Sequence, residues 1–150
     1  MGASDKRQRL ILTFPQGNVT YGVYARYVRE ITALPPLTAI PGGHEALRGI
    51  FAYKGDIVPA LSFSALCGQD GTDAEQTCLI IMEDGGEPFG LSIARAEGLV
   101  TESMEMPFEQ KLMNCGLVKI SSVIRAENTV MIVDIKETFS GLVMKQGRIS

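Results

Sequence analysis

The side chains best suited to chemistry in this chain are few and scattered. The single histidine, His44, stands in Gly42-Gly43-His44-Glu45 with no second histidine or cysteine at ligand spacing, so it reads as a loop residue rather than a zinc ligand. Cys67, Cys78 and Cys115 are odd in number and widely spaced, which suits reduced thiols better than a disulfide framework or a metal site. Asp70 and Asp73 in a Gly/Thr-rich connector hint at calcium, but the spacing completes no calcium loop and a solvated linker explains them. Asp84 and Glu87 flank Gly85-Gly86 as turn residues, Asp56 belongs to another turn, and Asp134 is a lone acid in an apolar strand. There is no Walker-type loop, no Gly-x-Gly-x-x-Gly and no Gly-x-Ser-x-Gly. Nothing assembles a base, a nucleophile and an oxyanion hole, so the expectation is a protein without catalysis, cofactor or metal.

Binding surfaces are the better reading. Glu30 and Lys54 carry opposite charges at the end of a crossing segment and on a hairpin. They form either a salt bridge that fixes the surface around Val28 or two independent solvated charges, worth little when exposed. Met104, Met106 and Met113 make either an adaptable docking surface or filling between subdomains.

The elements that must position these residues are short strands. The segment 48–63 organises them: Ile50, Phe51 and Tyr53 are β-formers, Lys54-Gly55-Asp56 is turn chemistry, and Ile57-Val58-Pro59-Ala60-Leu61 returns as a strand. Pro59 has no N–H, which predicts an edge position or a bulge there. Before it, 9–14 and 19–24 form a hairpin, 26–31 allows one helical turn, and the prolines of 34–41 impose an extended course. A short helix over 62–66 ends at Gly68. Strands follow at 77–82, 88–93, 117–120 and 129–135, 96–101 is partly extended, 104–110 is loop or one turn, and a terminal helix starts at Lys136.

With 150 residues, 45% apolar and 21% charged, the chain has an ordinary globular composition and can bury roughly 70% of its unfolded surface. A net charge of −3 gives no reason to expect nucleic acid, which needs a concentrated basic face. The basic residues Lys6, Arg7 and Arg9 read as a solvated lead-in rather than a binding arm, and 1–8 is expected to be disordered. The apolar run behind them, Leu10-Ile11-Leu12, is too short for a signal core or a membrane span, so a cytoplasmic protein without direct membrane insertion is expected.

An internal repeat runs through the pattern. Tyr21-Gly22-Val23 resembles Phe89-Gly90-Leu91 at an offset of 68 positions (89 − 21), and Val28 to Ile31 falls at nearly the same offset from Ala96 to Leu99. Arg48-Gly49-Ile50 is matched to Cys115-Gly116-Leu117, and 57–63 to 130–135. Each copy is hairpin, crossing segment, hairpin, short helix, which predicts a mainly β fold of two small barrels packed on one another.

In order and spacing these residues resemble the CheW family, the adaptor domains of bacterial chemotaxis. The resemblance covers 10–142 and rests on Tyr21-Gly22-Val23, on Val28-x-Glu30-Ile31, on the Pro-rich extension, and on Arg48 through Pro59. It implies two intertwined five-stranded SH3-like barrels with a few short helices, a single domain over 9–145, and no enzymatic activity or cofactor. The implied partners are the regulatory domain of a CheA-type histidine kinase and the cytoplasmic tip of a chemoreceptor, met in arrays beneath the inner membrane. By position, the receptor groove is expected at Val28, Glu30, Lys54, Cys78, Ala96 and Leu99, and the kinase-facing surface near Gly49 and Phe51. The chain departs from the family pattern where Lys54 replaces the usual Arg and Ala52 the usual Asn. Lys keeps the charge and loses the bidentate fork. Ser62-Phe63 replaces Asp-Leu, leaving Ser62 or Ser64 to cap the helix, and Ala94-Arg95 replaces an acidic position. An alternative that these departures suggest is a CheW-like scaffold serving motility or gene regulation through another kinase.

Overall fold

A computed structural model of the chain describes residues 10–69, 75–101, 108–109, 113–125 and 129–139. The lead-in 1–8, Asp70, Asp73, Met104 and Met106 lie outside the described residues, as do the side chains of Met113 and Cys115.

The described residues form twelve strands: β1 Leu10–Gln16, β2 Val19–Tyr24, β3 Val28–Ala33, β4 Leu47–Tyr53, β5 Asp56–Ser62, β6 Cys78–Met82, β7 Phe89–Ile93, β8 Gly98–Thr101, β9 Phe108–Glu109, β10 Met113–Cys115, β11 Val118–Arg125 and β12 Thr129–Val133. A short helix α1, Phe63–Leu66, follows β5, and a helical turn α2 over 135–139 follows β12. The five principal strands of the first sheet run β8-β1-β2-β12-β11, with the short β10 and β9 both added to β11. Those of the second run β3-β6-β7-β5-β4. The fold is mainly β, two SH3-like five-stranded units with few short helices.

The two strand orders are the same order in different copies of the repeat. Ile31 of β3 pairs with Ile80 of β6, and Leu99 of β8 pairs with Leu12 of β1. The separation is 68 positions on both sides of the pair (99 − 31 and 80 − 12). Each sheet therefore takes its first hairpin from one copy and its crossing strand and second hairpin from the other, so the units are intertwined. The register corrects one detail of the repeat. The bulge between Leu47 and Gly49 recurs between Ile120 and Ser122, so Arg48-Gly49-Ile50 answers to Ser121-Ser122-Val123 and not to 115–117. Gly116 serves another purpose: at φ +60° it passes so close to the end of α1 that a Cβ would lie 2.4 Å from the Leu66 carbonyl oxygen.

Each sheet keeps a small cluster of its own: Phe51, Val58, Ala60, Leu79 and Ile81 in one, and Ile11, Ile124, Val130 and Ile132 in the other. The largest core lies between them, with Leu12, Phe14, Tyr21, Val23, Leu61, Phe63, Ile80, Met82, Leu91, Val118 and Ile120 among its members. Burying such side chains stabilises the fold by about 1.5–3 kcal/mol each. Aromatic contacts cross the same divide. Phe63 of α1 sits edge-on to both Phe14 and Tyr21 at 4.9 Å, and Phe89 of β7 meets Phe139 of α2 at 4.0 Å.

Two local expectations change. The apolar spacing of Tyr27, Val28 and Ile31 allowed a helical turn over 26–31, but only Ala25–Tyr27 is helical, as a 3-10 turn, and β3 starts at Val28. β3 lies at a sheet edge and exposes both faces, which hides the alternation that marks a strand. Pro59 lies in an interior strand, yet costs no ladder bond. Its partner Ile50 directs its N–H and carbonyl to Thr38, and pairing with β7 begins only at Ala60.

Candidate functional site

No cluster of three or more His, Cys, Asp or Glu able to hold a metal occurs among the described residues. His44 is occupied locally: its Nδ1 accepts a hydrogen bond of 2.9 Å from the Ala46 backbone N–H, closing the turn before β4. The surfaces on offer are instead two strand edges and one outer sheet face.

The first surface follows the seam between the sheets. Val28 pairs with Met82, Ile31 with Ile80 and Leu99 with Leu12. Those partners belong to the inter-sheet core, and cross-strand partners project to one face. Val28, Ile31 and Leu99 thus border that core where it meets solvent. Ile31 is 44% and Leu99 61% exposed, unusual for large apolar side chains. Cys78, half-buried at the start of β6, packs on the same core. Burial pushes its thiol pKa up, opposed by a hydrogen bond with the Ala96 backbone, and that contact brings exposed Ala96 to its side.

Four of the six expected groove residues therefore flank one seam. The other two do not join it in the same way. Glu30 is exposed and pairs with Ile81, on the opposite face of β3 from Val28 and Ile31. Lys54 occupies the β4–β5 turn at φ +48°, its ammonium 5.3 Å from the Tyr53 ring. The ion pairs among the described residues are Arg29–Glu83 and Arg95–Glu97, so Glu30 and Lys54 stand as separate solvated charges. Ile31 was missed by sequence reasoning, although its place 68 positions before Leu99 was the available signal.

The second surface is the outer face of β4–β5. Ile50 opposes Pro59 and Ala52 opposes Ile57. Ile57 is 69% exposed, Ala52 is exposed, and the other two are half-buried. The four make a continuous apolar patch. Phe51 is on the other face, buried against Val58, Ala60, Leu79 and Ile81. Gly49 is buried at φ +154°, and a Cβ there would come within 2.7 Å of the Thr38 carbonyl oxygen. Both positions support the patch from beneath, and neither faces solvent.

A polar cluster that the sequence reading did not single out ties these elements together. The buried Gln76 Oε1 accepts from the hydroxyls of Ser62 (2.9 Å), Ser64 (3.3 Å) and Ser92 (3.3 Å). Its Nε2 donates to Gln16 Oε1 at 3.0 Å, Gln16 Nε2 donates to Gln69 Oε1 at 2.7 Å, and Arg48 Nη1 donates to the Gln76 carbonyl at 2.9 Å. One side chain thus links β1 of one sheet to β5 and β7 of the other.

Comparison with known proteins decides the family. The model of the CheW-like domain matches residues 10–143, nearly the whole chain. The chain belongs to the CheW-like family. A solved structure, the scaffolding protein TtCheW from Thermoanaerobacter tengcongensis, superposes with a TM-score of 0.74 over 88% of each chain at 18% identity, a likeness of fold. No curated protein matches the chain. No helix among the described residues is long and apolar enough to cross a membrane.

Proposed function

We propose that this CheW-like domain is a non-catalytic adaptor that couples chemoreceptors to a CheA-type histidine kinase. The observation that carries the reading is the presence of two separate apolar surfaces on one small domain. One is the seam bordered by Val28, Ile31 and Leu99, and the other is the β4–β5 face of Ile50, Ala52, Ile57 and Pro59. Isolated exposed apolar residues need no explanation, whereas contiguous ones on a soluble face favour a partner.

The seam suits the helical hairpin of a receptor tip, because a helix offers apolar residues at intervals that fill a long shallow groove. Val28, Cys78, Ala96 and Leu99 would line it, with Glu30 and Lys54 as charges outside the apolar strip. The kinase regulatory domain would take the β4–β5 face, with Ile57 at the centre of the contact and Gly49 and Phe51 holding the face in shape. On this reading the protein acts at receptor arrays on the cytoplasmic side of the membrane.

Co-sedimentation with membranes bearing the receptors and the kinase of the same cell tests the proposal. Wild type should pellet with receptors and raise the amount of kinase pelleted, and Leu99→Glu should lose both effects while keeping kinase binding. Retention of Leu99→Glu on receptor membranes at the wild-type level would contradict the placement of the receptor. Failure of wild type to recruit the kinase would favour a scaffold serving another output.

A further inference from the structure

The way the two units share strands points to a conformational exchange beyond the adaptor reading. The hairpin β1–β2 is held by the other copy of the repeat. β1 pairs with β8, β2 pairs in parallel with β12, and Ile11 packs with Ile124, Val130 and Ile132. The link from this hairpin to the opposite sheet is the 3-10 turn Ala25–Tyr27. That turn contains no buried residue and its Tyr24 cap makes no side-chain capping bond. The residues flanking it are already extended: Tyr24 has φ −65° and ψ 131°, and Val28 has φ −86° and ψ 124°. Unwinding three residues would therefore join β2 and β3 into one strand from Val19 to Ala33, through a segment rich in β-formers.

We propose that the chain exchanges its β1–β2 hairpin with a second copy of itself, giving a two-fold dimer in which each hairpin completes the other chain's sheet. The exchanged dimer re-forms the strand pairs of the monomer between chains, so the balance between the two is set by the turn, including the packing of Tyr24 and Tyr27, and by concentration. The turn is closed by a hydrogen bond from the Val28 N–H to the Ala25 carbonyl, by the packing of Tyr27 on the inter-sheet core, and by Arg26. Its guanidinium carbon lies 4.6 Å from the Tyr24 ring centre and 4.9 Å from that of Tyr27, and its Nη2 donates to the Tyr27 hydroxyl at 3.3 Å. Straightening the turn separates the two rings that Arg26 bridges.

The test uses the full chain carrying Leu10→Cys and Thr101→Cys, at paired positions of β1 and β8 outside the core. Wild-type cysteine content and each single variant serve as controls. The protein is concentrated, or refolded at high concentration, fractionated by size exclusion with light scattering, oxidised, and run on a denaturing gel. The proposal predicts a dimer fraction in which the new disulfide joins two chains and a monomer fraction in which it closes within one. Arg26→Ala should raise the dimer-to-monomer ratio by about five-fold, as expected for loss of exposed cation–π contacts. Dimers whose new disulfide closes within each chain would show docking without exchange and overturn the proposal. A protein that stays monomeric in both backgrounds at concentrations near one millimolar would overturn it equally.

Discussion

At the scale of single residues, the pair Gly22 and Gly90 explains why an aromatic-Gly-aliphatic triplet occurs twice. A Cβ on Gly22 would lie 2.6 Å from the Ile11 side chain, and one on Gly90 would lie 3.0 Å from Leu79. Both glycines face the small cluster of their own sheet, with Val130 and Ile132 of β12 close to Gly22 and Phe51 of β4 close to Gly90. Adding a methyl at either site overfills a packed core, so Gly22→Ala is expected to destabilise the protein by about 1–3 kcal/mol in urea unfolding. Cys78 gives a second prediction. Its thiol pKa is raised by burial, so the thiolate needed for alkylation forms only at a pH above that of an ordinary cysteine. Its iodoacetamide labelling rate, followed by mass spectrometry against pH, should therefore rise later than that of a free thiol. Phe51 shows where residue types mislead. In 48–59 both alternate sets are apolar, Phe51, Tyr53 and Val58 on one face and Ile50, Ala52, Ile57 and Pro59 on the other. A period of two separates these sets without saying which one faces the core.

Elements were legible where a short apolar run ended in turn residues. The β4–β5 hairpin, the hairpins at 10–24 and 78–93, and α1 all follow local chemistry. Ser62 caps α1 by accepting from the Ala65 N–H at 3.2 Å. What could not be read was anything set by distant partners. Gln76 contacts Gln16, 60 positions away, and serines 12 to 16 positions away, and no local pattern announces such a cluster. Its importance is nevertheless specific. Gln76→Ala would take one hydrogen-bond acceptor from three buried serine hydroxyls and one donor from the Gln16 side chain, at a cost of about 1–3 kcal/mol in unfolding free energy. Because Gln76 joins strands of both sheets, near-ultraviolet circular dichroism should also change around Phe14, Tyr21 and Phe63, which meet across the same divide.

At the scale of the molecule, the repeat predicted two equivalent units, and the structure adds that each sheet draws on both copies. The arrangement places the seam proposed for the receptor and the β4–β5 face on one framework whose largest core lies between the sheets. The central claim is that the outer β4–β5 face receives the kinase. Calorimetric titration of the purified protein with the regulatory domain of its own cell's CheA-type kinase tests this most directly, comparing wild type with Ile57→Asp and Phe51→Asp. The account predicts micromolar or tighter binding by wild type. Ile57→Asp should keep the wild-type unfolding midpoint and weaken binding at least ten-fold, whereas Phe51→Asp should fail to fold, because it buries a charge without a partner. Wild-type affinity retained by a folded Ile57→Asp, or no binding by the wild-type protein, would contradict it.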